Sequence, residues 1–529
     1  MEYSPTLMSF LVFSAIIFLV SLAFHFRSLT TKKSSKAKAH RSLPPGPPGW
    51  PIIGNILDSI PSSHEDGILR TLASLSQKYG PVFWLELGTV KTMVVCSADA
   101  AMDMFKNHDV SFASRYGSEA FNTCNFSQTS MTLAPYGQSW RLLRRLCITQ
   151  LFTNKIMTET ADLRMKCMDH MISWISEEAS KGSMVEISDF VFLTTINLQS
   201  NLFFSHDVTG YGTNQGMEFL QLIKKATYLL GLPNVVDFLP LLRWLDPQGI
   251  RRRIDPIISR LLEIISGEID ERVRERYSSA SHGSCQEKQK RKNFLDMLLE
   301  SHNVGESEPQ KSSHTVICTL ILELFVASET SGVTIEWAMA LLFKNPTTMK
   351  RLKAELHEVV GWSRKVEEND IKNLPYLRAV IKETLRLYPP VPLLVPRKAI
   401  QDVEFMGYIV PKNTQVLVNA YAIGRDPNNW EQPLSFKPER FLESSGCNEN
   451  NDIGYRGSHY KLIPFGAGRR MCVGYPLGKT LLHLIHSFDW ILDGNDNVIT
   501  PEAIDTRAKL GTTLSKVVAL RVIPKPIIF

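Results

Sequence analysis

The chain has 529 residues, 44% of them hydrophobic, and a formal net charge of +6. The apolar share is ample for a sizeable globular core. The slight basic excess speaks against nucleic acid and suits an anionic membrane surface or an acidic protein partner. The eight cysteines (Cys96, Cys124, Cys147, Cys167, Cys285, Cys318, Cys447 and Cys472) are scattered, with no C-x-x-C pair and no zinc-spaced histidines; this excludes a disulfide framework and points to a reducing compartment.

The first element is an apolar run from Leu7 to Phe26, broken only by Ser9, Ser14, Ser21 and His25. Roughly 20 residues span a bilayer as a helix, so the run is long enough to anchor the chain. It is long for a signal peptide, and the only downstream A-x-A match, Ala37-Lys-Ala39, lies inside a basic stretch. Glu2 alone precedes the run, while Arg27, Lys32, Lys33, Lys36, Lys38 and Arg41 follow it. Positive charge stays cytoplasmic, which predicts a single-pass anchor with a lumenal N-terminus and a cytosolic body. Leu43-Pro-Pro-Gly-Pro-Pro-Gly-Trp50 is stiff, extended sequence of the kind that makes a hinge. The expected division is an anchor at residues 1–26, a basic and proline-rich hinge at 27–50, and one body at 51–529.

The body reads as mainly helical with small sheets. Residues 82–87 and 92–96 are predicted strands, with Gly88 in the turn between them. A helical zone from about residue 98 to 380 is punctuated at 134–137, 210–212, 231–233 and 247–249. Polar stretches at 278–293 and 301–313 are expected to be surface loops flanking a helix at 294–299, and the charge run 288–292 a solvated face. Residues 403–418 read as strands with turns at Gly407 and at 411–413, and 514–523 as a final strand.

Four segments carry chemistry. Phe465, Gly468, Arg470, Cys472 and Gly474 fall at the spacing F-x-x-G-x-R-x-C-x-G. Glycines and arginines around one cysteine suit a tight turn and an electropositive site that favours thiolate, the form in which cysteine can serve as an axial ligand to haem iron. Glu383 and Arg386 share a helix face just before Tyr388-Pro-Pro390 stops the helix, and Phe436-Lys-Pro-Glu-Arg-Phe441 follows. Trp140 and Arg144 also share a face. The apolar helix from Cys318 to Phe343 encloses Ala327-Ser-Glu-Thr-Ser331, and a buried acid beside a hydroxyl is costly unless it has a task or a partner.

Together these segments resemble the microsomal plant A-type cytochromes P450, from the anchor to the last strand, and within them the geraniol hydroxylase and iridoid oxidase group. The resemblance implies the cytochrome P450 fold, haem b held by Cys472 as axial iron ligand, and molecular oxygen. It also implies electrons from NADPH through a cytochrome P450 reductase at the endoplasmic reticulum membrane. On it, Trp140, Arg144 and Arg470 bind haem propionates; Glu383, Arg386 and Arg440 form a structural ion-pair network; Glu329 and Thr330 relay protons; and Ala327 leaves room for oxygen. Arg145, Lys461 and Arg469 become candidates for the reductase-facing surface. Residues 117–132, the helix around Leu324 and Ser328, residues 391–397 and residues 510–513 correspond to substrate-recognition regions. The apolar Val391, Leu393, Leu394 and Val395 suit a small hydrophobic plant metabolite.

Two departures stand out. One glycine is missing before Ser328, which turns the upstream residues by about 100° around the helix. The helix after Gly474 is about five residues short, or about 1.4 turns. Three rival readings remain: a P450-fold isomerase or dehydratase that does not use oxygen and, left open by the short helix, a haem protein with little turnover and a membrane-tethered scaffold without haem.

Overall fold

The computed structural model describes residues 42–56, 67–208, 214–281, 293–302, 310–361, 363–442, 460–474, 484–492 and 500–527. The apolar run at 7–26, the charge run at 288–292 and the segment at 475–483 lie outside the described residues.

Helix α1 (Gly67–Tyr79) leads into strands β1 (Val82–Leu87) and β2 (Val90–Val95), which pair antiparallel around Gly88. Side chains alternate along β1, and both faces are covered: Phe83 and Leu85 pack toward Leu72 of α1, Val82 and Trp84 toward the opposite cluster. Helix α2 (Ala98–Lys106) starts where the Ser97 hydroxyl accepts the Ala100 N–H at 3.2 Å. Strand β3 (Ser114–Arg115) and the 3-10 turn Glu119–Asn125 precede α3 (Gln138–Leu151), whose N-cap is Gly137. Then come α4 (Ala161–Ser180), β4 (Val185–Glu186), α5 (Ile187–Phe204), α6 (Asn214–Leu230), α7 (Ile250–Ser281), α8 (Phe294–His302), α9 (Gln310–Ala327), α10 (Glu329–Lys344), α11 (Pro346–Val359) and α12 (Pro375–Leu387). The remaining strands are β5 (Arg397–Lys398), β6 (Val403–Phe405), β7 (Tyr408–Val410), β8 (Gln415–Val418), β9 (Phe488–Leu492), β10 (Ala508–Leu510), β11 (Leu514–Lys516) and β12 (Arg521–Pro526).

The main sheet has the order β1-β2-β8-β5-β3, with β2 and β8 parallel and Met93 opposite Val416. A three-stranded sheet, β4-β12-β9, and two hairpins complete the strands among the described residues. The largest apolar cluster joins α3 and α5 to α9. At its centre Phe325 meets Phe203 edge-on at 5.4 Å and Phe219 at 5.3 Å. Helix α5 is apolar on nearly every side, as a helix enclosed by others must be. The stretch His314–Lys344 is long and apolar enough to cross a membrane, yet 61% of its most apolar window is buried inside the molecule, so it is the core helix of the body.

Two loop expectations are corrected. Helix α7 continues through Ser281, α8 reaches His302 and α9 begins at Gln310, so the polar stretches 278–293 and 301–313 are partly helical. A helix is held by its backbone ladder, which needs no apolar residue, so polarity alone does not exclude one there. Residues 514–523 are also two strands, β11 and β12, in different sheets. The chain turns between them because the Val517 N–H bonds Arg507 O and the buried Leu520 N–H bonds Glu336 Oε1 at 2.8 Å.

Candidate active site

The cysteine loop is a sequence of tight turns. Gly466 and Gly468 sit at φ +69° and +70°, where an L side chain is strained. The Met471 N–H bonds Gly468 O at 3.1 Å, and the Cys472 N–H bonds Phe465 O at 3.0 Å. This leaves Cys472 exposed, with Gly474 alongside its sulfur. Cys96, Cys147, Cys167 and Cys318 are buried, and burial pushes each thiol up to about 12, so they are inert.

Four guanidinium groups gather beside this loop. Arg470 donates to Ala113 O, Met131 O and Ala134 O at 2.8, 3.1 and 2.6 Å. Arg144 reaches Met471 O at 2.7 Å, and Trp140 donates from its indole to Met131 O at 3.0 Å. The Arg470 guanidinium lies over the Trp140 ring at 4.2 Å. Arg115, on β3, donates to Thr132 O and Val395 O; Arg397, on β5, donates to Ala467 O at 3.0 Å. Burial first, and mutual repulsion second, pushes Arg470 down to about 9 and Arg115 far below its usual value. Burial brings Arg397 to about 10 despite neighbouring Asp109. The carboxylates that face this cluster are Glu323, which accepts the Met131 and Thr132 N–H groups at 2.8 and 2.5 Å, and Asp109. A cradle with more guanidinium than carboxylate is built for an anionic group.

Residues 44–505 match the family described as Cytochrome P450. The chain belongs to the cytochrome P450 family. It is 44% identical over 503 residues to iridoid oxidase of Catharanthus roseus, covering 93% of each chain. It is 43% identical over 527 residues to cytochrome P450 76A2 of Solanum melongena, covering 98% of this chain and 99% of that one. It is 39% identical over 497 residues to geraniol 8-hydroxylase of Swertia mussotii, covering 93% and 95%. It is therefore a P450 monooxygenase of the plant group that includes these relatives, and its cofactor is haem b. The residues fit that group. An exposed thiol stands at the mouth of a glycine turn, and the excess guanidinium charge matches a pair of propionates.

The long core helix is interrupted. Helix α9 ends at Ala327 and α10 begins at Glu329, with the Ser328 N–H bonding Phe325 O at 3.1 Å, a tighter spacing than in an α-helix. Ala327 is exposed, and the Thr330 hydroxyl donates to its carbonyl at 3.0 Å. Ser328, in the region matched to substrate recognition, is buried at the break and donates to Gln199 of α5 at 2.7 Å. Leu324 is buried too. Glu329 is half-buried between α6 and the β10–β11 turn. Thr513 donates to its Oε1 at 3.4 Å, while its Oε2 meets no partner. Burial raises its carboxyl to about 7, against weaker lowering by Thr513, Thr227 and Lys224.

Glu383, Arg386 and Arg440 meet as one group. Arg386 forks onto Glu383 with two bonds of 2.7 Å, both side chains fully buried, and Arg440 reaches the same carboxylate at 3.1 Å. The remaining Arg386 donors bond Gly424 O, Pro433 O and Ser435 O. Arg145, Lys461 and Arg469 are exposed. The half-buried Leu394 reaches the cysteine loop at Gly466.

Sequence reasoning missed Arg115, Asp109 and Glu323, and saw Arg397 only as the end of an apolar segment. For Glu323 a signal existed, an acid within the apolar run 319–325. Nothing local marks Arg115 or Asp109.

Proposed function

We propose that this cytochrome P450 inserts one atom of O2 into a small terpenoid, with electrons passed from NADPH by a cytochrome P450 reductase at the endoplasmic reticulum membrane. The observation that carries the reading is the exposed Cys472 set in its glycine turn beside a guanidinium cradle. Haem bound through a thiolate supplies oxygen activation, since the thiolate pushes electron density toward O–O cleavage. Cys472 would hold the haem iron through its thiolate, and Phe465, Gly468 and Gly474 would shape its turn. Trp140, Arg144 and Arg470 hold the propionates, joined by Arg115 and Arg397. Arginine suits this because its fork matches a carboxylate and keeps its charge.

Glu329 and Thr330 manage protons. A carboxyl near neutrality can both take and release a proton at working pH, and its unpartnered oxygen is available for the exchange. Glu383, Arg386 and Arg440 are structural. Two relatives are named for a monoterpenoid alcohol and for iridoids, which supports a terpenoid substrate. The anchor at residues 1–26, the hinge at 27–50 and the body at 51–529 would place the site at the cytosolic face. Exposed Ile52, Leu241 and Trp244 support membrane contact; their neighbours Ile53 and Phe238 bond the same β1–β2 turn through Gly88 and Thr89.

The test is to express the chain, reduce it and add carbon monoxide. A red-shifted thiolate Soret band is expected, and Cys472→Ala should abolish it. With reductase, NADPH and geraniol or an iridoid alcohol, a product one oxygen richer is expected. An intact chain that shows no haem absorbance would overturn the reading.

A further inference from the structure

Asp109 lies in the turn after α2, 5% exposed, and belongs to none of the segments discussed above as motifs. Its Oδ2 accepts the backbone N–H of Arg469 at 2.9 Å and the Arg469 guanidinium at 2.9 Å; its Oδ1 faces Arg397 at 3.4 Å. Arg397 in turn donates to Ala467 O. The pair therefore grips the turn before Cys472 at two backbone points, the carbonyl of 467 and the amide of 469. Gly468, between them, has φ +70°, and a Cβ there would collide with the Asp109 carboxylate. Phe112 O also accepts from Arg397 at 3.3 Å, and Arg397 pairs with Arg115 across β5 and β3, so the same arginine ties the grip to the strand that carries Arg115.

We propose that Asp109 is the positioning residue of the cysteine loop: it holds the turn that presents Cys472 and couples that turn, through Arg397, to the guanidinium cradle. The proposal rests on the haem-thiolate reading. Without the carboxylate, the Arg469 amide loses its acceptor and the buried Arg397 loses its counter-charge. The thiolate then drifts from its place while every motif residue remains. Outer partners of this kind are typically worth about ten- to hundredfold in retention of the group they support.

The test compares wild-type holoenzyme with Asp109→Asn, Asp109→Ala and Glu368→Ala. The last variant breaks a different, half-buried ion pair, with Arg164, that does not touch the loop. Two quantities are followed: the fraction of reduced carbon monoxide complex with the red-shifted thiolate band, and the rate of haem loss to an apomyoglobin scavenger. Asp109→Ala should lose haem about tenfold faster or more and shift toward the unshifted band. Asp109→Asn, which keeps an acceptor but not the charge, should fall between it and wild type. Glu368→Ala should lower the melting temperature and leave both quantities at wild-type values. A purely structural role would lower the melting temperature of the Asp109 variants with the thiolate fraction and haem-loss rate unchanged, and that result overturns the proposal. If Asp109→Ala does not fold, Asp109→Asn decides alone: wild-type values overturn the proposal, faster haem loss supports it. A wild-type chain without the thiolate band is a separate failure, that of the haem-thiolate reading.

Discussion

Glu329 shows how one residue's setting converts into measurable behaviour. Its ordinary value is 4.5 and burial raises it to about 7. Below pH 4.5 the folded and unfolded chains are both protonated there, and the group costs nothing. Between 4.5 and about 7 the folded chain keeps a proton that the unfolded chain gives up, so stability falls as pH rises through this window. Above it the cost is fully present, on the order of 3 kcal/mol. Glu329→Gln removes that cost. Its melting temperature is expected to exceed wild type at pH 8 and to match it at pH 4, by differential scanning fluorimetry. Turnover with O2 should fall by about a hundredfold in the same variant, the usual worth of a positioned proton donor. The acid and its threonine neighbour were legible in the sequence, because a charge inside an apolar helix demands an explanation. Which groups face the acid was not. Thr513 lies 184 residues away along the chain, and no periodicity connects the two.

Among elements, the junction of α9 and α10 is the one whose register the sequence left undecided. One residue fewer in a continuous helix can rotate a whole face or be absorbed at one point. Here the helix breaks at one point, Ser328, which packs inward against Gln199. Ser328→Ala should cost about 0.5–1.5 kcal/mol in urea unfolding, because the half-buried Gln199 oxygen then loses its donor. The ion-pair network fastens α12 to the segment 424–440. Arg386→Ala removes the fork that holds a fully buried carboxylate and leaves it only Arg440 and the Lys437 N–H, and a loss of about 3–5 kcal/mol is expected, with most of the holoprotein lost on purification. Helices and strands with apolar faces were readable from periodicity. The polar end of α7 and the polar start of α9 were not, since polar turns carry no apolar signal. Residues 514–523 were misread as one strand because each half has strand composition. A tertiary hydrogen bond from Leu520 to Glu336 separates them.

Over the whole molecule, the site lies where the main sheet, the long core helix and the cysteine loop converge. Strand β8 pairs in parallel with β2 across more than three hundred residues of sequence, and β5 and β3 extend that sheet to carry Arg397 and Arg115. The anchor reading belongs to this scale. A chain lacking residues 1–26 should shift from the membrane pellet toward the soluble fraction on sedimentation, with its reduced carbon monoxide band intact. Complete retention in the pellet after a carbonate wash would sink the single-anchor reading.

The sequence by itself determined the cysteine loop, the acid–threonine pair, the Glu383–Arg386 pair and a helix-rich body, because each is written in short spacings that backbone geometry translates directly; that Arg440 joins the pair came from the family resemblance. Only the tertiary structure decided that Arg115 and Arg397 join Arg144 and Arg470, that Asp109 grips the turn before Cys472, and that Ser328 faces the core. These are matters of charge compensation and packing between segments far apart in the chain. A buried guanidinium or carboxylate is tolerated only where its partner arrives, and folding alone determines which partner that is.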